Sequence, residues 1–263
     1  MTPAGRRDDH RELVTASADG VATITLSNPA RKNAMSVAGW AALRDALREV
    51  AAGQDRVLVL TGAGADFCSG ADLSAGGSGR HPLLDMRLAG EACLALYDLP
   101  IPTIARVDGV AVGAGMNMAL ACDFVIATVR ARFSQIFVKR GLSPDFGGSW
   151  ILPRLIGLHR AKQLVLLGDL IDASAADRMG LIYQVVLADG LDEAVGELAD
   201  RLKSGPALAV SLSKRLLNDS FQTSIERALD DEGRAQAINL TSADVAEALA
   251  AFQEKRAPVF GGR

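Results

Sequence analysis

Little in this chain serves metal, redox or nucleic-acid chemistry. Its three cysteines (Cys68, Cys93, Cys122) form no CxxC pair and leave an odd count, so neither a disulfide framework nor a zinc site is indicated. A reducing cytoplasm is the expected setting. The three histidines, His10, His81 and His159, lie in the N-terminal tail, a glycine-rich loop and a helix start. No G-x-S-x-G elbow occurs, which argues against a serine hydrolase. Lys+Arg 28 against Asp+Glu 31 gives a net charge of -3, with no electrostatic footprint for nucleic acid. The longest apolar stretch, Val107 to Asp123, is interrupted by Asp108, Asn117 and Asp123, well short of the ~20 residues of a membrane span. No apolar run follows the arginines of MTPAGRRDDHREL, so residues 1–10 read as a loose charged tail and not a signal peptide.

What is present suffices for a large buried core: 263 residues, 49% hydrophobic. Glu12 to Ser17 and Val21 to Ser27 predict two strands joined at Asp19-Gly20, a hairpin signal. Ser36 is a plausible N-cap for a helix whose apolar face is Val37, Trp40, Leu43, Leu47 and Val50, stopped by Gly53. Arg56 to Thr61 reads as a buried strand. The Gly62-Ala63-Gly64 after it raises a dinucleotide fingerprint, but Phe67 stands at the third glycine position and no helix opens there. The stretch Ala75 to Arg80 is expected to be a flexible surface loop. A helix follows from about Leu83 to Tyr97, then strands at Thr103 to Val107, Phe124 to Ala127 and Arg132 to Ser134. Strand–strand–helix repeats without clean alternation suggest a spiral of small β-sheets flanked by helices. From Leu191 helical patterns dominate, at 191–203, 206–218 and 224–252, as in segments that pack on a neighbour or another subunit.

The segment VDGVAVGAGMNMALACD organises the rest. Small residues at 113 to 115 uncover backbone N–H groups at the first turn of a helix, where no intrahelical carbonyl can take them. Two readings stand: a site for developing negative charge, or close strand-to-helix packing that needs small residues. Candidate acids and bases are Asp66, Asp72, Asp108, Asp123 and Asp145. Asp145 lies in LSPDFGGSW between Phe137, Phe146 and Trp150, and apolar surroundings raise a carboxylate's pKa from about 4. Capping a helix that opens at Gly147-Gly148 would also account for it. A base so tuned suits proton abstraction beside an activated carbonyl.

Four ordered stretches, NPARKNAMS, GADFCSGADL, PTIARVDGVAVGAGMNMALACDFVIA and GLSPDFGGSWILPRLIG with its continuation LLGDLIDASAADRMGLIYQVV, resemble the crotonase superfamily, the enoyl-CoA hydratase/isomerase family. The resemblance runs from about residue 11 to the closing EKRAPVF. It implies an α/β crotonase (ClpP/crotonase-like) spiral of ββα units over 11–190, and a C-terminal helical region, 191–263, that builds homotrimers or hexamers. It implies an acyl-CoA thioester substrate, with coenzyme A entering as part of that substrate and no separate cofactor or metal. Carried over by position, the carbonyl is held by the N–H groups of Ala71 and Ala114. Coenzyme A is met by Arg31, Lys32, Ala34, Ala71, Asp72, Leu73 and Gly113, and by Lys255 and Phe260 from a neighbouring subunit.

The departures are as informative. Hydratases in the family use two glutamates, and Asn117 and Phe137 stand at those positions here. The run PDFGGSWILPRLIG looks most like the isomerase branch acting on ring-epoxide phenylacetyl-CoA and unsaturated acyl-CoAs, which implies Asp145 as acid/base and Asn117 as a polar wall residue that places a water. The alternatives are an enoyl-CoA hydratase with a rearranged site, and a non-catalytic acyl-CoA-binding scaffold.

Overall fold

The computed structural model describes residues 12–74 and 78–262. The expected tail at 1–10 and part of the glycine-rich stretch, 75–77, lie outside them. The hairpin forms as its turn residues require, β1 (Leu13–Ala18) pairing antiparallel with β2 (Val21–Leu26) through Asp19 and Gly20, both at positive φ. Ser36 caps α1 (Val37–Ala52) by accepting from Gly39 N–H, and Gly53 ends it. The chain then alternates between two sheets. β3 (Val57–Gly62) joins the large one, and Cys68 bridges Ala111 beside the small one before α2 (Pro82–Tyr97). β4 (Thr103–Val107) joins the large sheet, β5 (Val110–Val112) the small one, and α3 (Ala114–Leu120) follows. The next turn repeats this with β6 (Phe124–Thr128), β7 (Arg132–Ser134) and α4 (Gly148–Leu167). Each turn thus adds a strand to one sheet, an extended piece to the other and a helix outside, which is the expected ββα spiral.

β8 (Ile171–Asp172), α5 (Ala173–Met179) and β9 (Gln184–Val186) complete the two sheets, of order β1-β2-β3-β4-β6-β9 and β5-β7-β8. From β2 to β9 the large sheet is parallel. A parallel sheet is buried on both faces, which explains the unbroken VLVL of β3. Leu58 and Leu60 point into the main core, while Val57 and Val59 point with Ile104 and Ile126 to the other face. That second face is sealed by α6 (Leu191–Lys203), through Leu191, Val195, Leu198 and Ala199. So the first helix past residue 190 packs on this chain's own sheet.

The remaining helices differ. α7 (Ala207–Asp219) buries no residue and α8 (Ile225–Asn239) buries only Ala235. The helix expected over 224–252 is two, because the chain breaks at 240–242 and Ser242 caps a new one, α9 (Ala243–Glu254), by accepting from Val245 N–H. The apolar side chains Leu217, Phe221, Ile225, Leu229, Leu249 and Phe252 stand in solvent, Phe252 at 83% exposure. No helix of the described residues is long and apolar enough to cross a membrane.

Candidate active site

A cleft of about 680 Å³ opens between the loop after β3, the start of α3 and the segment 136–145. Its construction begins at Asn33, a buried residue at φ 55°. The Asn33 amide donates to the carbonyls of Ala63 and Asp66 at 2.9 and 2.7 Å and pins the loop that carries Ala71. Met35 N–H donates to Gly70 O and Asp72 N–H donates to Met35 O, so Ala71 is the central residue of a parallel bridge. In such a bridge the central residue's own N–H and C=O point away from the partner strand. The N–H of Ala71 therefore faces away from Met35, on a residue that lines the cleft, and has no protein acceptor among the described residues.

Ala114 is the first residue of α3, where a helix leaves its N–H unpaired, and it lines the same cleft. Gly70 (φ 92°) brings the two segments together: a Cβ there would stand 3.0 Å from Val112 O and 3.4 Å from Ala114 N. Close packing accounts for part of the small-residue run. Gly115 serves close packing, since its Cβ would meet Cys68 O at 2.2 Å. Ala114 keeps an uncovered N–H. Gly113 (φ 57°, ψ −129°) makes the corner between β5 and α3, a backbone state closed to residues with a Cβ.

Asp145 lines the same cleft. Phe146 (φ 44°) and Gly147 (φ 75°) are successive left-handed residues that turn the chain into α4, and the Phe146 ring is buried against Trp40 at 5.2 Å. Left-handed backbone at a bulky residue persists only when its surroundings hold it. The capping role considered for Asp145 is not seen: Gly147 is the cap, and it is the Asp145 main-chain oxygen that accepts from Gly148 N–H at 3.0 Å. The carboxylate Oδ1 is buried without a hydrogen-bond partner among the described residues. Burial lifts its pKa to about 6. The other carboxylate lining the cleft, Asp72, is held below the usual range, first by hydrogen bonds from Ser74 and also by the Arg31 guanidinium at 2.8 Å.

Asn117 does not stand where a wall residue would. It is fully buried, does not line the cleft, and its amide is engaged at both ends: Nδ2 donates to the Asp145 carbonyl at 2.8 Å, and Oδ1 accepts from Gln135 Nε2 at 2.7 Å. Gln135 is the residue sequence reasoning missed; its signal was a lone amide between Phe133 and Phe137. Phe137 does line the cleft, its ring 3.7 Å from where a Gly113 Cβ would be. Arg31, Lys32, Ala34, Leu73 and Gly113 line the cleft as well, with Arg140 and Leu142 on the far side. Lys255 and Phe260 do not line it. Instead the tail is pinned to α9, Arg256 pairing with Glu247 at 2.6 Å and Asp244 accepting from Gly261 and Gly262 N–H.

The three cysteines are buried, and burial pushes each thiol up to about 12, which leaves no thiolate nucleophile near neutral pH. Two backbone N–H groups on residues lining one cleft can hold an oxygen that gains charge, and an ionisable carboxylate lining the same cleft can take up a proton and return it.

Residues 16–263 match the family model for enoyl-CoA hydratase/isomerase. The chain is 40% identical over 247 residues to the "Probable enoyl-CoA hydratase" of Rhodobacter capsulatus, covering 93% of this chain and 96% of that one. It is 39% identical over 251 residues to the "1,2-epoxyphenylacetyl-CoA isomerase" of Escherichia coli, again covering 93% and 96%. Among solved structures, an enoyl-CoA hydratase of Bacillus anthracis superposes with a TM-score of 0.91 at 33% identity, covering 96% of this chain and 100% of that one.

Proposed function

The chain belongs to the enoyl-CoA hydratase/isomerase family, and we propose that within it this protein is an acyl-CoA isomerase that moves a double bond by single-base proton transfer. The thioester carbonyl oxygen accepts from the N–H groups of Ala71 and Ala114. Asp145 removes the proton from the carbon next to the carbonyl, and the bonding pair passes into a dienolate whose oxygen carries the charge. The same carboxyl then returns the proton at the γ carbon, so a 3-enoyl thioester becomes a conjugated 2-enoyl thioester with no net change in atoms or electrons. Arg31, Lys32, Ala34, Asp72, Leu73 and Gly113 meet the coenzyme A portion, in a cleft that Phe137 keeps apolar beside the reacting carbonyl.

One observation carries this reading. Asp145 is a half-buried carboxylate whose Oδ1 is buried without a hydrogen-bond partner among the described residues, while Asn117 and Phe137, at the two positions that hold acids in hydratases, offer no exchangeable acid: one amide faces away and one ring is apolar. Hydration needs one group to activate water and another to supply a proton. The names of several relatives favour hydration as the second reading. One assay separates the two: a 2-enoyl-CoA and a 3-enoyl-CoA are supplied at equal concentration. The 3-enoyl thioester is expected to conjugate, seen by absorbance, and the 2-enoyl thioester to persist. Efficient formation of the 3-hydroxy product, undiminished in Asp145→Asn, would overturn both the reaction and the base; no turnover of either would mark a scaffold.

We also propose a homotrimer or a hexamer built of two trimers, supported by the apolar side chains that α7 to α9 leave in solvent. Lys255 and Phe260, which do not line this chain's own cleft, then reach the coenzyme A of a neighbour. Light scattering at micromolar concentration is expected to give a mass of three or six copies. A stable monomer would refute the assembly.

A further inference from the structure

Nothing holds the Asp145 carboxylate by its own buried oxygen, for Oδ1 has no hydrogen-bond partner among the described residues. Its direction is set by the main chain that carries it. From outside its own turn, that main chain is tethered where the Asp145 carbonyl accepts from Asn117 Nδ2 at 2.8 Å. A carbonyl can only accept, so Asn117 must present its NH2 there and its oxygen to the other side. The oxygen then requires a donor, and Gln135 Nε2 supplies it at 2.7 Å, both residues being fully buried. The polarity of the whole chain, Gln135 to Asn117 to Asp145, is thus fixed from the carbonyl end. Space is fixed too: a Cβ on Gly148 would stand 2.2 Å from Asn117 Nδ2, so the first residue of α4 presses directly on this amide.

Asn117 also sits one turn along α3 from Ala114, its own N–H donating to Gly113 O at 3.1 Å. The helix turn that presents one N–H to the cleft therefore also holds the main chain of the base. On the isomerase reading given above, we propose that Asn117 and Gln135 are positioning residues for proton transfer, an oriented amide pair that locks the Asp145 main chain to the turn bearing Ala114. Base and oxygen donor then keep a fixed separation while the proton leaves one carbon and arrives at another. Misplacing a reacting group by about 1 Å can cost about 10²-fold in rate, so such a lock acts on turnover and not on substrate capture.

The test exploits polarity. Gln135→Glu keeps the shape: protonated, as burial favours, it still donates to Asn117 Oδ1, and once ionised it offers only acceptors, which drives the Asn117 amide to flip and sets its oxygen against the Asp145 carbonyl. Gln135→Met keeps the length and offers nothing. With a 3-enoyl-CoA, kcat should fall by about 10-fold in Gln135→Met, and in Gln135→Glu the loss relative to the parent should deepen to about 10²-fold as pH rises and the carboxyl ionises, with KM unchanged in both. A residue that merely fills space would show no such deepening, the closest shape staying the milder change. In Gln135→Met the acidic limb of kcat/KM should also move below its parent position near pH 6, because a loosened turn lets the carboxylate reach water. The charged groups lining the cleft with Asp145 (Arg31, Lys32, Asp72 and Arg140) and the Cys93 thiol, against which Gly147 packs, are the same in parent and variant.

Thermal melts establish that each variant is folded, and should Gln135→Glu fail to fold, Gln135→Met decides alone. A folded Gln135→Met with parental kcat and an unmoved acidic limb would overturn the proposal, as would losses confined to KM. Asp145→Asn separates this from the reading beneath it. If Asp145→Asn stays active, the base is misassigned; if it is inactive while the folded Gln135 variants turn over normally, only the positioning role falls.

Discussion

Asp145→Asn is expected to leave a folded protein whose isomerase turnover has fallen by about 10²- to 10⁴-fold, the contribution of a positioned general base. The substitution keeps the side-chain shape and the main-chain bonds to Asn117 and Gly148. What it removes is the group whose pKa burial lifts to about 6. In the parent, catalysis requires the ionised form, so kcat/KM should rise with pH and level off above about 6. Stability should run the other way. The folded pKa lies above the ordinary carboxylate value of 3.8, so the folded state binds the proton more tightly and its stability declines as pH rises from about 4 through 6. Denaturant midpoints for Asp145→Asn should therefore exceed the parent's at pH 7 to 8, with the gap closing toward pH 4. An active, unstabilised Asp145→Asn would place the base elsewhere.

Ala114→Pro should cost about 10²- to 10³-fold in kcat, the effect of losing one donor to a developing oxyanion. The position suits this test. Ala114 is the first residue of α3, where proline's fixed φ and missing N–H are well tolerated. The exchange thus removes the cleft donor without removing an intrahelical bond, and circular dichroism should report an unchanged fold. Near-normal turnover in a folded Ala114→Pro protein would show that the carbonyl is held by other groups.

The residues that specify local turns gave most of the fold in advance. Asp19-Gly20, Ser36, Gly53 and the unbroken apolar run of β3 each dictate a local conformation that needs no distant partner. The readings that failed did so for different reasons. Every residue of α3 is buried, so periodicity could not say which way Asn117 points, and its facing became clear only once Gln135 and Asp145 were brought to it from 18 and 28 residues along the chain. The apolar spacing also continues across the break between α8 and α9, and hid the Thr241-Ser242 signal that starts a new helix. Spacing likewise showed that α6 has an apolar face, but not that the large sheet would cover it. The candidate site was legible in part: Ala71, Ala114 and Asp145 meet in one cleft, whereas Asn117 acts from behind it and Lys255 and Phe260 lie outside it.

The donors proposed at Ala71 and Ala114 belong to the main chain, and that has a genealogical consequence. A codon change can replace either side chain without erasing the N–H, with proline as the one exception. The capacity to shelter a charged oxygen is thereby nearly immune to drift, while the side chains around it are free to wander. Lineages can exchange the group that moves protons and keep the rest intact. Relatives of this chain carry names of both kinds, hydratase and isomerase.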